Sequence, residues 1–268
     1  MKFILQTFFK GLYYFLSNAA FRTFVRLSLQ YGSSKRYIRR NIRLKKARLQ
    51  VADAKSFIWQ YYEIYFKAYY DFKSNKPNPI IIDCGSNIGL GLLRFKEQYP
   101  QAEIHAFEAD DVICQILNKN IADNQLSGIH VHNEAVWIKD ETLQFASEGA
   151  DGGQITENNE GTKAVNGIDF ARFLQRFEQV DFLKIDIEGA ETQLLPHIAS
   201  QLHKVDKLFV EFHSYNGQTQ HLSEVIAAMS SAGHRIYIDN VAFKNSPFIN
   251  TSGKYGMDLQ LNIFAYKQ

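Results

Sequence analysis

Three things are scarce in this 268-residue chain. Cysteine occurs twice, at Cys84 and Cys114. The first sits in a glycine-spaced turn and the second inside a helical pattern, so no disulfide framework is expected and a reduced, cytosolic compartment is the simpler reading. Acidic residues are missing from the first fifty positions: Met1 to Gln50 carries twelve Lys or Arg and no Asp or Glu. The other 218 residues hold 18 basic and 28 acidic side chains, so the formal net charge of +2 divides into +12 on an arm and −10 on a body. Long apolar runs are also lacking at the N-terminus. The longest uncharged stretch there, Gly11 to Phe21, is 11 residues, against the about 20 that a bilayer-crossing helix needs. Lys10 interrupts any signal-peptide apolar region, although Ser17-Asn18-Ala19-Ala20 faintly resembles a cleavage site. A helix that lies on something, rather than through it, is the expectation. There is no internal repeat, and no low-complexity tract beyond the basic one.

What is present falls into three parts. Residues 1–50 form a basic and aromatic arm, with one or two amphipathic helices up to about residue 31. Its dense basic stretch, SKRYIRRNIRLKKARLQ over residues 34–50, is expected to end in a strand. Residues 51–78 begin with VADAKSFIWQYYEIYFKAYYDF, whose aromatics recur at helical spacing and lead into the core. Residues 79–268 alternate apolar runs with helical segments. Predicted strands are Ile80–Asp83, Glu103–Glu108, Ile129–Ala135, Phe182–Asp186, Lys207–Phe212, Arg235–Ile238 and Leu259–Tyr266. Predicted helices are Leu90–Tyr99, Asp111–Asn124, Asp169–Phe177, Glu191–His197 and Gln220–Ala232. This alternation specifies an α/β fold: a doubly wound, mostly parallel, Rossmann-like sheet of seven strands covered on both faces. The last two strands leave no room for a helix between them, so the final one enters reversed.

The first candidate site is the turn Asp83-Cys84-Gly85-Ser86-Asn87-Ile88-Gly89. In an open parallel sheet, ligands bind beyond the carboxyl ends of the strands where the topology reverses. Gly85 and Gly89 let the backbone turn sharply and approach a ligand. Glu108 closes the next strand about 20 residues on, where an acid accepts both hydroxyls of an adenosine ribose. The spacing D-x-G-x-N-x-G differs from the dinucleotide fingerprint G-x-G-x-x-G. Asp83 suits a ligand with an ammonium or sulfonium charge better than a pyrophosphate, and Asn87 is the non-glycine residue best able to take left-handed angles. The plain alternative is a tight strand–helix turn without a ligand.

Two further strand ends carry charge. In Phe182-Leu183-Lys184-Ile185-Asp186-Ile187-Glu188-Gly189-Ala190-Glu191, Lys184 and Asp186 share a face and Glu188 continues it. In Leu208-Phe209-Val210-Glu211-Phe212-His213, Glu211 and His213 do the same. If these strands are neighbours, Asp186, Glu188, Glu211 and His213 converge on one rim. A histidine beside carboxylates suits general-base work on a hydroxyl, or a divalent-metal site in which Asp186 and Glu211 are ligands. The alternatives are a histidine satisfied by Glu211 and an acidic helix cap at Glu191. Glu134 and Ala135 end a third strand, placed to read an adenine edge. Asp151-Gly152-Gly153 marks a turn over the same rim, Asp169 is expected to cap its helix, and His130 and His132 show no ligand spacing.

With these pieces assembled, the chain resembles the FkbM family of S-adenosylmethionine-dependent methyltransferases. IIIDCGSNIG, IHAFEAD, HNEAVW, DFLKIDIEGAE and LFVEFH stand in the family's order over about residues 51–268. DFLKIDIEGAE is the most specific. The resemblance implies S-adenosylmethionine as cofactor, bound by Asp83, Gly85, Ser86, Asn87, Gly89, Glu108, Ala109, Glu134, Ala135 and Asp186. It places Asp186, Glu188, Glu211 and His213 by the transferred methyl, with a divalent cation such as magnesium as a further expectation. O-methylation of a hydroxyl on a sugar, glycan or related natural product is the activity it implies. VNGIDFARFL departs from the family in lacking its common acidic pair. A non-catalytic S-adenosylmethionine-binding scaffold and a nicotinamide-dependent oxidoreductase are the alternatives.

The arm lies outside that resemblance. Nucleic acid is disfavoured as its partner, because Phe3, Ile4, Phe8, Phe9, Leu12, Phe15 and Leu16 need burial somewhere. An anionic membrane surface takes both the apolar and the basic side chains, at the inner face of the membrane for a cytoplasmic protein. A helix docked on the catalytic core with solvated basic residues is the other reading.

Overall fold

The computed structural model describes residues 9–150, 152–156, 161–241, 244–251 and 256–268. Two helices, α1 (Lys10–Ser17) and α2 (Ala19–Tyr31), lead into a hairpin of β1 (Arg40–Leu44) and β2 (Ala47–Val51). The basic stretch thus forms two paired strands rather than ending in one, because Ile42, Leu44 and Leu49 alternate with the arginines and are buried. Asp53 then caps α3 (Ala54–Tyr61) by accepting from the Lys55 and Ser56 amides, and a π-helical turn, Tyr62–Phe66, extends it. Of the apolar residues assigned to the arm, Phe3, Ile4 and Phe8 lie outside the described residues.

The central sheet holds β3 (Ile80–Cys84), β4 (Glu103–Phe107), β5 (Ile129–His132), β10 (Phe182–Ile185), β11 (Lys207–Tyr215), β12 (Arg235–Asn240) and β13 (Met257–Tyr266). Their order is β12-β13-β11-β10-β3-β4-β5, with β13 antiparallel between β11 and β12. Seven mostly parallel strands with a reversed last one match the expectation. The order reverses between β3 and β10, where a ligand cleft is expected in such sheets. The predicted strand Ile129–Ala135 is two: β6 (Ala135–Trp137) leaves the sheet. The break falls at Asn133, whose amide donates to the carbonyls of Glu108 (2.9 Å) and Ala109 (3.3 Å). β6 joins β7 (Glu141–Ala146), β8 (Gln154–Ile155) and β9 (Lys163–Asp169) in a second sheet, ordered β6-β9-β7-β8.

Side-chain alternation explains why both faces are covered. Ile81, Ile104, Phe182 and Phe209 meet α4 (Leu90–Gln98), α5 (Asp111–Asp123), α3 and the N-terminal hairpin. Ile82, Phe107, Leu183, Ile185, Val210 and Phe212 meet α6 (Phe170–Leu174), α7 (Glu191–Ile198) and α8 (Leu222–Ser231). Leu27 of α2 belongs to the first of these clusters with Ile42, Leu44 and Leu49. At about 1.5–3 kcal/mol for each buried aliphatic side chain, these four bind the N-terminal arm to the body of the fold. Asp169 accepts from the Arg172 amide and caps α6 as expected.

Candidate active site

The turn after β3 is shaped by three left-handed residues: Gly85 (φ 81°), Asn87 (φ 49°) and Gly89 (φ 87°). Gly85 has a second constraint, since a Cβ there would stand 1.9 Å from the Asp186 carbonyl of the adjoining strand. The Gly85 and Ser86 amides donate to the Phe107 carbonyl (3.0 and 2.8 Å), which fixes the turn against β4. The Ser86 hydroxyl is used within the turn, donating to the Asp83 carbonyl. Glu108 is held from two sides, accepting from the Asn87 amide (2.8 Å) and the Asp110 amide (2.9 Å). Burial pushes its carboxyl up to about 7, against those stabilising hydrogen bonds. The Asn87 side chain donates to the Ala150 carbonyl (3.0 Å), and Tyr37 donates to Glu148 (2.7 Å). Ser147 donates to Asp110. Segment 147–150 is thereby held at three points, by Asn87 of the turn, by Asp110 and by Tyr37 of the arm.

Lys184 is the central cation, and the strand register explains it: on β10 it stands opposite Asp83 of β3. It is 3% exposed. Its Nζ donates to the Gly85 carbonyl at 2.7 Å and lies 3.3 Å from Asp83 and 3.2 Å from Asp186. Burial opposes its charge, but the Tyr70, Asp186 and Asp83 side chains around it outweigh that and hold the ammonium well above the ordinary lysine range. Burial also raises Asp83, with Lys184 pulling the other way.

Asp186, Glu188, Glu211 and His213 do converge. His213 is buried, with Nδ1 3.2 Å from Glu191 and Nε2 3.7 Å from both Glu188 and Glu211. Burial works against its protonation, and Glu191 with the other two carboxylates overcomes that, raising it well above the usual histidine value. Glu191 is wholly buried and accepts the Ile187 and Gly189 amides. Glu211 accepts from Gln260 (2.6 Å), and burial raises it to about 7. Glu188 has a left-handed backbone (φ 54°), and burial raises it to about 9. Five carboxyl groups, Asp83, Asp186, Glu188, Glu191 and Glu211, thus surround two cations, Lys184 and His213. The raised values of Glu188 and Glu211 reflect burial together with that crowding of acids, a setting that favours a positively charged ligand.

A cavity of about 1870 Å³ opens over these residues. Asp83, Gly85, Ser86, Asn87, Glu108, Ala109, Glu134, Ala135, Asp186, Glu188 and Glu211 line it. His213 and Gly89 are not on that wall. His213 lies behind the carboxylates, and Gly89 opens α4, where a Cβ would meet Leu117 at 2.7 Å. Lys184, Tyr70, Glu191 and Gln260 were not read from the sequence as site residues. Lys184 carried a signal, a lysine within an apolar strand facing the same way as Asp186. Gln260 carried none, because only the antiparallel register sets it against His213.

A seven-stranded sheet with a reversed last strand, a glycine turn at its switch point and a ribose-type acid on the next strand defines a class I methyltransferase fold. The methyltransferase FkbM domain model matches residues 83–236, and the chain belongs to that family. It is similar to methyltransferase sdnD of Sordaria araneosa, 28% identical over 171 residues, covering 50% of this chain and 66% of that protein. It is also similar to methyltransferase 1 of Beauveria bassiana, 27% identical over 158 residues, covering 50% of this chain and 64% of that protein. The chain therefore spans just under two thirds of the length of these curated relatives. Among solved structures it resembles methyltransferase FkbM from Methylobacillus flagellatus, with a TM-score of 0.51 and 16% identity over 80% of this chain and 53% of that one. Family membership implies S-adenosylmethionine as the methyl donor.

Proposed function

We propose that the protein transfers a methyl group from S-adenosylmethionine to a hydroxyl oxygen of a sugar, glycan or related natural product. The supporting observation is Glu211: a cavity-lining carboxylate raised to about 7, set beside Glu188 and Asp186 at the sheet's switch-point rim. A carboxylate so poised accepts a hydroxyl proton near neutral pH. S-adenosylmethionine supplies the electrophilic methyl, whose bond to sulfur breaks as the bond to the acceptor oxygen forms. Glu108 offers its remaining lone pairs to ribose hydroxyls while the Asn87 and Asp110 amides fix its orientation. Asp83 and Asp186, bridged by Lys184, present the carboxylate surplus toward the cationic methionine end. Glu211 takes the acceptor's proton. His213, out of the cavity and surrounded by three acids, holds Glu188, Glu191 and Glu211 in place rather than accepting that proton.

A divalent cation such as magnesium on Asp186 and Glu211 has one favouring observation. An oxygen of each and a ring nitrogen of His213 lie within 4.8 Å of one another. Lys184, 3.2 Å from Asp186, already supplies positive charge there and weighs against it. The test is transfer of tritium from labelled S-adenosylmethionine into hydroxyl-bearing monosaccharides and cell-envelope glycan extracts, with and without chelator. Label recovered solely on nitrogen or carbon, or no calorimetric binding of S-adenosylhomocysteine, overturns the reading. Activity that disappears with chelator and returns with magnesium favours the metal.

A further inference from the structure

The two N-terminal helices are amphipathic in opposite senses on their two sides. In α2, Ala20, Phe24, Leu27 and Tyr31 belong to or pack on the core cluster. Arg22, Val25, Arg26 and Leu29 stand about 180° around the helix at 100° per residue. With Phe15 and Gln30 they line a shallow groove, and Leu29 is 83% exposed. α1 repeats the division. Tyr14 packs on Phe21 and Phe66 (ring centroids 5.8 and 5.1 Å), while Phe9, Leu12 and Leu16, at i, i+3 and i+7, share the far side and are half or more exposed. No residue of α1 is buried.

That outward apolar face belongs to a segment with twelve basic and no acidic residues in fifty, on a body of net −10. Lys10, Arg22 and Arg26 flank it, and Arg22 also donates to the Phe15 and Leu16 carbonyls, locking α1 to α2. A nucleic acid answers the charge and leaves the leucines in water. A second copy packed face to face through the same helices answers the leucines and brings the same positive charge against itself. A bilayer with anionic headgroups answers both, with apolar side chains at the acyl boundary and Lys and Arg among the phosphates. Among the described residues no helix is long and apolar enough to span the membrane, so this contact is in its plane.

We infer that α1 and α2 dock the protein on an anionic lipid surface, through Phe9, Leu12, Leu16, Val25 and Leu29. The docking is independent of which atom is methylated. The test is co-sedimentation of the full chain, at low salt, with phosphatidylcholine vesicles and with the same vesicles containing phosphatidylglycerol. The protein is expected to pellet with the anionic vesicles alone and to be released by added salt. Leu16→Glu combined with Leu29→Glu should weaken partitioning at least about tenfold. Arg26→Gln should weaken it about fivefold, the effect of one basic residue near such a surface. Thermal unfolding and S-adenosylhomocysteine binding should not change in either variant, which separates lost docking from lost folding. Failure to pellet with anionic vesicles, equal pelleting with neutral ones, or a stable dimer broken by the leucine variants would overturn the inference.

Discussion

Lys184→Met is the sharpest perturbation this structure offers. It keeps the length of the buried stem and deletes one charge. At about 3.3 Å and an effective dielectric of about 20, each of the two carboxylate contacts of the ammonium has a gross attraction of about 5 kcal/mol. The Asp186 side chain is 25% exposed, so solvent screens its share, whereas Asp83 at 2% has no such relief. The lysine's own desolvation cost disappears with it, and the net loss expected from breaking a buried pair is about 3–5 kcal/mol. The pH dependence follows from the direction of the Asp83 shift, which burial raises above 3.8 even with Lys184 present. A carboxyl raised in the folded state favours folding only while protonated. The variant's penalty should therefore be small near pH 4 and grow by about 1.4 kcal/mol per pH unit until the new folded value is passed. Urea unfolding at pH 4 and pH 8 measures both quantities, and adding Asp83→Asn should restore most of the loss. A deficit below about 1 kcal/mol at pH 8, or one that is the same at both pH values, would refute the assignment of Lys184 as the charge that holds the two strands' acids together.

Three other outcomes are expected. Glu211→Gln should lower turnover by about 10² to 10⁴ while leaving S-adenosylhomocysteine affinity in calorimetry unchanged. The wild-type rate should rise with pH through about 7 as this carboxyl ionises, and the variant should lose that limb. Glu108→Gln should weaken S-adenosylhomocysteine binding by about tenfold or more, the worth of a hydrogen bond to a charged group, and titration calorimetry reads it directly. His213→Ala leaves Glu191 wholly buried without its cation and should cost about 3–5 kcal/mol in denaturant unfolding. Since the folded imidazolium is raised, the stability it contributes is complete below its unfolded value of 6.5 and fades as pH climbs through the folded one. A pH-independent deficit would indicate lost packing rather than lost charge.

The seven strands and the turn at Asp83–Gly89 were legible because they rest on local rules. Apolar runs at strand length and helical periodicity between them need no knowledge of distant residues, and glycine or asparagine is required wherever the backbone turns left-handed. Glu108 was legible for a similar reason, since one βα unit fixes its distance from the turn. The amphipathic arm was visible as composition, because absent acids and helical apolar spacing imply charged helices with one apolar side. Its hairpin was less so, because Ile42, Leu44 and Leu49 look like isolated apolar residues until a partner strand and the core cover them.

Pairing between strands far apart in sequence is what only the tertiary structure decides. Asp83 and Lys184 are about a hundred residues apart and become ion partners because β10 lies in register against β3. Glu211 and Gln260 are joined by β13 inserting antiparallel beside β11. β11 lying parallel beside β10 likewise sets His213 against Glu191, the first residue of the helix that follows β10. His213 is off the cavity wall although the sequence sets it on the same strand face as Glu211. Side-chain parity along one strand specifies which residues face together. The depth of each below the rim, and hence its solvation and charge, depends on the neighbouring elements that cover it.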